Sequence, residues 1–173
     1  MTAPQVQVPQ GLVCVTTFGF LRHEMVQSWM DLRSHNDAQG LKNVKYVTLP
    51  GTLVEKARNE AVRQMLRENM GWLCFIDGDM TFPPDALLKL LATAYGSHPF
   101  VDAIGAWCPL RGELSLPTTD YGSGTWESSF PGAGVREVIR TGAAFLLVKR
   151  HVFEALEDPL FRMSPQASDR RHA

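Results

Sequence analysis

Three short apolar runs, two of them followed by a stretch of helical period, constrain this chain more than anything else in it. Residues 11–15 (GLVCV), 44–49 (VKYVTL) and 72–76 (WLCFI) are rich in β-branched and aromatic side chains and have the length of strands. Each stops at a turn-forming group: Thr16-Thr17-Phe18-Gly19, then Pro50-Gly51-Thr52 with Thr52 as a helix cap, then Asp77-Gly78-Asp79. Between the runs, Leu21, Met25, Trp29 and Leu32 recur at four, four and three, the spacing of one buried helix stripe. Leu53, Ala57, Ala61 and Met65 repeat it at intervals of four, marking a second helix that reaches Asn69.

The third run has no polar interruption, as in strands buried on both faces. Pro83-Pro84 opens the next helix, where a missing first-turn amide costs no hydrogen bond. Residues 101–106 and 143–148 (AAFLLV) are the expected fourth and fifth strands, and a helix is expected over 150–156. Residues 109–134, rich in Gly, Pro, Ser and Thr, read as loop with a short hairpin. The alternation predicts an open α/β fold with a mostly parallel sheet and right-handed crossovers. One domain over residues 1–163 and a polar tail over 164–173 are expected. Ligands of such sheets gather beyond the carboxyl ends of the strands. That brings Thr16-Thr17 and Asp77-Gly78-Asp79 together across the intervening sequence.

Composition removes several classes. Seventeen Lys and Arg against 18 Asp and Glu give a net charge of −1, which supports neither a polybasic nucleic-acid binder nor an acidic disordered chain. With 45% hydrophobic residues in 173, a single core is expected. Residues 1–21 carry no charge, but Pro4, Pro9 and Gly11 break them, and 12–21 is too short to span a bilayer. A basic start and a cleavage site of a signal peptide are missing. Cys14, Cys74 and Cys108 are odd in number, show no Cys-x-x-Cys spacing, and point to a reducing cytoplasm, with Cys14 and Cys74 as small hydrophobes.

Asp77-Gly78-Asp79 is the sharpest chemical signal. Two carboxylates one residue apart at a strand end can face one small volume, where a hard divalent cation set against a polyphosphate relieves their repulsion. The same tripeptide also suits a plain turn. Arg58-Asn59 interrupts a helix pattern with groups fitted to phosphate and base edges, or with a solvated face. Thr141-Gly142 precedes the last strand and allows either close approach of a ligand or a bulge.

The ordered set Thr16-Thr17, Ala57-Arg58-Asn59, Phe75-Ile76-Asp77-Gly78-Asp79-Met80, Pro84-x-x-Leu87 and Thr141-Gly142-Ala143-Ala144-Phe145 resembles the nucleotide-sugar-dependent glycosyltransferases of the GT-A fold. Family 2 members and their phage-encoded relatives are the nearest in pattern, over residues 12–156. The resemblance implies a Rossmann-like three-layer α/β/α fold and a metal-dependent, inverting transfer from a nucleoside-diphosphate sugar, commonly a UDP-sugar. The acceptor is left open between a glycan, another polymer and a modified DNA base, and so is the oligomeric state. Carried onto this sequence, Thr16 and Thr17 line the nucleotide pocket, and Arg58 and Asn59 contact the nucleotide or donor sugar. Asp77 and Gly78 face the ribose or sugar, Asp79 holds Mn²⁺ or Mg²⁺ with Asp77 as a further ligand, and Thr141 and Gly142 border the acceptor.

Family members continue to an acidic motif that supplies the base for the acceptor hydroxyl, and a later histidine often completes the metal shell. The sequence ends at Ala173, as in a shortened member, with Asp169 as the remaining base candidate and His172 as the remaining histidine. Glu157-Asp158 reads as a surface turn, and His23, His35, His98 and His151 have no ligand-like spacing. Two rivals stand beside the transferase. Residues 77–81 (DGDMT) also resemble the Asp-x-Asp-x-Thr signature of haloacid-dehalogenase-type phosphatases, with Asp77 as nucleophile, although that signature sits on a first strand and needs a later acidic pair. The other is a non-catalytic nucleotide-sugar-binding remnant. A sugar-nucleotide pyrophosphorylase would need a glycine-rich loop, and residues 16–20 hold one glycine.

Overall fold

The computed structural model describes residues 7–50, 53–108, 119–120 and 134–162. Strand β1 (Gly11–Thr17) leads through helix α1 (His23–Ala38) to β2 (Val44–Pro50), and α2 (Val54–Arg67) leads on to β3 (Trp72–Asp77). Helix α3 (Ala86–Ala92) runs into a π-helical turn (Thr93–Ser97) before β4 (Ala103–Gly105). Two short strands, β5 (Thr119–Asp120) and β6 (Arg140–Thr141), precede β7 (Phe145–Lys149) and α4 (Arg150–Glu154).

The main sheet has the order β2-β1-β3-β7-β4. β1 lies parallel to both β2 and β3, whereas β7 runs antiparallel between β3 and β4. Four strands therefore share one direction and β7 opposes them, so the mostly parallel sheet expected from the sequence is what forms. The reversal of β7 has one consequence for the site: its first residues sit at the same rim as the last residues of β1 and β3.

Strand alternation divides the core into two layers. Val13, Val15, Trp72, Cys74 and Ile76 turn to one face, where Met25 and Leu32 of α1 and Leu87 and Leu91 of α3 cover them. Leu12, Cys14, Leu73 and Phe75 turn to the other, against Ala61, Val62 and Met65 of α2 and Phe153 of α4. Each large side chain buried this way contributes about 1.5–3 kcal/mol relative to exposure. Three residues of the expected stripe, Met25, Trp29 and Leu32, lie on α1; Leu21 precedes the helix but packs in the same cluster. Asn36, also buried, donates to the Tyr46 hydroxyl at 2.9 Å.

Several boundaries differ from the sequence expectation. The residue preceding α2 is Leu53, which gives no side-chain cap, and Thr52 lies outside the described residues. The helix ends at Arg67, and Asn69 takes a left-handed conformation with φ 55°. α3 starts at Ala86 because the Ala86 amide first closes a turn onto the Pro83 carbonyl at 3.1 Å. The strands expected over 101–106 and 143–148 and the helix over 150–156 are each present with shifted ends. Of the hairpin expected within 109–134, only β5 is described, and its partner is β6, beyond that stretch. Asp169 and His172 also fall outside the described residues.

All three cysteines are free and buried. Burial pushes the Cys14 thiol up to about 12 and raises that of Cys74. Among the described residues, no helix is long and apolar enough to cross a membrane.

Candidate functional site

Register and alternation together build the site. Thr16 and Asp77 are direct partners in the β1–β3 pairing, and they continue the faces of Leu12–Cys14 and Leu73–Phe75, the side covered by α2. Thr16 Oγ1 donates to Asp77 Oδ1 at 3.1 Å. Arg58 follows the buried Ala57 on α2, and its Nη2 donates to the same Oδ1 at 2.9 Å. The Arg58 side chain is 15% exposed and that of Asp77 31%, so this ion pair is sheltered on one side and open on the other.

The open side is a cavity of about 310 Å³. Thr16, Thr17, Arg58, Asp77, Gly78 and Asp79 line it, six residues singled out from the sequence. Phe18, Phe20, Arg22 and Val54 complete the wall, and sequence reasoning missed all four. Their signal lay in position: residues 18–22 join a strand end to a helix start, where ligand groups collect. Thr17 Oγ1 donates to the Phe20 carbonyl at 3.1 Å, and Gly19, at φ +124°, supplies a conformation that side-chain-bearing residues rarely adopt. That tight loop leaves Phe18 and Phe20 75% and 96% exposed.

The acidic turn is fastened from both neighbouring strands. The Asp77 amide donates to the Ala144 carbonyl and the Gly78 amide to the Thr16 carbonyl, each at 2.8 Å. A methyl group on Gly78 would lie 2.9 Å from that Thr16 oxygen and 3.0 Å from Leu21 Cδ2 and Thr17 Cβ. Gly78→Ala is therefore expected to part β1 from the turn and cost about 2 kcal/mol, read by urea denaturation. A change below about 0.5 kcal/mol would show that the turn can yield.

Two expected positions fall elsewhere. Asn59 does not line the cavity: its carboxamide accepts from the Phe161 amide and donates to the Phe161 carbonyl, both at 2.9 Å. Successive helix residues diverge by about 100°, so Arg58 and Asn59 cannot both face the strand ends. Thr141 and Gly142 stand just before β7, at the shared rim but not in the cavity wall. Cys108, which follows β4, comes close enough for the Asp77 charge to add to burial in raising its thiol to about 11. Asp158 is on the surface as expected, held by Arg63 at 3.2 Å.

The donor set suits a hard divalent cation. Asp77 Oδ1 is engaged by Thr16 and Arg58, and Asp79 is the exposed carboxylate of the turn. Among the described residues no group of three or more His, Cys, Asp or Glu converges on a metal position. One or two carboxylates, with substrate phosphates and water completing the shell, is the usual arrangement for Mg²⁺.

Strand order, crossovers and a cavity at the strand ends define an α/β protein of the GT-A type. The model of the family "Glycosyl transferase family 2" matches residues 24–130, and the chain belongs to that family. No curated protein matches the chain. Among solved structures it is similar to the crystal structure of A197 from STIV, at 22% identity and a TM-score of 0.65, over 88% of this chain and 71% of that one. It also matches a glycosyltransferase involved in the glycosylation of the major capsid of PBCV-1, at 13% identity and a TM-score of 0.44, over 84% of this chain and 63% of that one. The STIV likeness is one of fold. Family membership leaves the phosphatase reading of Asp77 without support.

Proposed function

We propose that this chain moves a sugar from a UDP-sugar to an acceptor hydroxyl with inversion, assisted by a divalent cation at Asp79. The observation that carries this is the Thr16–Asp77–Arg58 cluster forming one wall of a cavity whose turn ends in Asp79. In this reading Phe18 and Val54 give the nucleotide apolar surface, and Thr16 and Thr17 border it. Arg58 fixes the Asp77 carboxylate so that it can accept hydrogen bonds from ribose or sugar hydroxyls. Arg22 adds positive charge where the diphosphate lies. Bound Mn²⁺ or Mg²⁺ supplies charge that stabilises the departing diphosphate. Thr141 and Gly142 border the acceptor, a glycan, another polymer or a modified DNA base, and Asp169 is the proposed base with His172 nearby in sequence. The domain comprises residues 1–163, and the buried thiols suit a reducing cytoplasm.

Calorimetry with uridine diphosphate tests the reading. Mn²⁺ is expected to strengthen binding by about tenfold, and Asp79→Ala to remove that gain. Released uridine diphosphate from a UDP-sugar then separates an enzyme from a binding-only relative. No binding in the presence of Mn²⁺ would sink the proposal.

A further inference from the structure

Behind Arg58 lies a segment that the donor reading does not use. After α4 the chain returns along the outside of α2, where Arg63 Nη2 reaches both carboxylate oxygens of Asp158 at 3.2 Å. One turn earlier, Asn59 holds the Phe161 backbone at two points, and Asn59 is only 6% exposed. This doubly bonded carboxamide fixes where the Phe161 ring lies. The ring meets Phe75 edge-on, with centroids 5.3 Å apart and planes at 80°. Arg58 Cζ is 5.8 Å from the Phe161 centroid and 5.9 Å from that of Phe75.

Hydrogen bonding alone leaves the guanidinium poorly fixed. Nη2 bonds Asp77, while the buried Nε has no hydrogen-bond partner among the described residues. A single bond at one corner lets the plane pivot; two ring surfaces set at an angle do not. We infer that Phe161 and Asn59 are positioning residues of the donor site, holding Arg58, and through it Asp77, in the geometry that receives a nucleoside diphosphate. This rests on the donor reading above. It also assigns a part in the site to Phe161, 102 positions after Asn59 of α2, in a segment that touches no cavity-lining residue except Arg58 among the contacts described.

The test is a double-mutant cycle in the full chain, with uridine diphosphate and Mn²⁺ as the probe. F161L keeps apolar volume without the ring and is expected to weaken binding by about tenfold, whereas F161Y stays within about twofold of the parent. In an R58Q background the F161L change is expected to shrink below about twofold, because nothing remains to be positioned. A purely structural role would give equal losses in both backgrounds, and that result, or no loss in F161L, overturns the inference. Should F161L fail to fold, N59D, which keeps the acceptor for the Phe161 amide and removes the donor, is expected to show the same pattern. The Arg58 Nε–H resonance gives a reading that needs no nucleotide: ring currents displace it in the parent, and F161L returns it toward exposed arginines. An unchanged resonance overturns the inference whatever binds. A parent chain that binds no uridine diphosphate overturns the donor reading instead, and the resonance then decides the positioning alone.

Discussion

Gly11→Ala is expected to lower the unfolding free energy by about 3 kcal/mol and the melting temperature by about 10 °C. Gly11 and Trp72 face each other across the β1–β3 pairing, and the indole fills the space a side chain at 11 would need. A methyl group there would lie 1.9 Å from Trp72 Cε2 and 2.1 Å from Cδ2. The ring has nowhere to go, being fully buried with its Nε1–H donated to the Pro9 carbonyl at 2.9 Å. Either the indole turns and leaves a buried donor unpaired, or β1 moves off β3. Moving β1 would also pull Thr16 from Asp77, so nucleotide affinity should fall together with stability. Thermal and urea unfolding check the first effect and calorimetry the second. A stability within about 0.5 kcal/mol of the parent would mean that the strands adjust at little cost.

Arg58→Ala acts on the cavity more than on the fold. Removing the guanidinium strands Asp77 with Thr16 as its described side-chain partner and takes a cation from the wall. Because Asp77 is 31% exposed, water can replace part of what is lost, and about 1–2 kcal/mol of stability should go rather than the larger cost of a fully buried pair. Uridine diphosphate affinity should fall by about fiftyfold, the worth of a charge-assisted contact plus the disordering of Asp77. Arg58→Lys should recover little, since an ammonium has neither the planar fork nor the flat surface that lies against Phe75 and Phe161. Full affinity in the lysine variant would reduce Arg58 to a point charge.

Much of this was legible from the residues. Strands β1 and β3 announce themselves because an uninterrupted apolar run of about five residues has few other fates, and the α1 stripe because Met25 and Leu32 recur at helical spacing. The strand-end rule then places Thr16 beside Asp77. Direction was not legible. A strand buried on both faces, such as 145–149 (FLLVK), looks the same read either way, so nothing local says that β7 opposes β3. Asn59 misled for a related reason: its partner is a backbone group 102 residues away, and no pattern within α2 encodes a contact at that separation. Phe18 and Phe20 were passed over because short loops carry no period to read.

The reversed strand has one more effect. β4 and β7 are hydrogen-bonded neighbours, and the Ala106 amide donates to the Phe145 carbonyl at 2.8 Å, so the excursion from 107 to 144 starts and finishes on adjacent rungs of one ladder. Closing a longer excursion between ends already stitched together costs only about 0.6 kcal/mol per doubling of its length. Lineages can thus lengthen, shorten or exchange that stretch while the Arg58–Asp77 pair stays where it is.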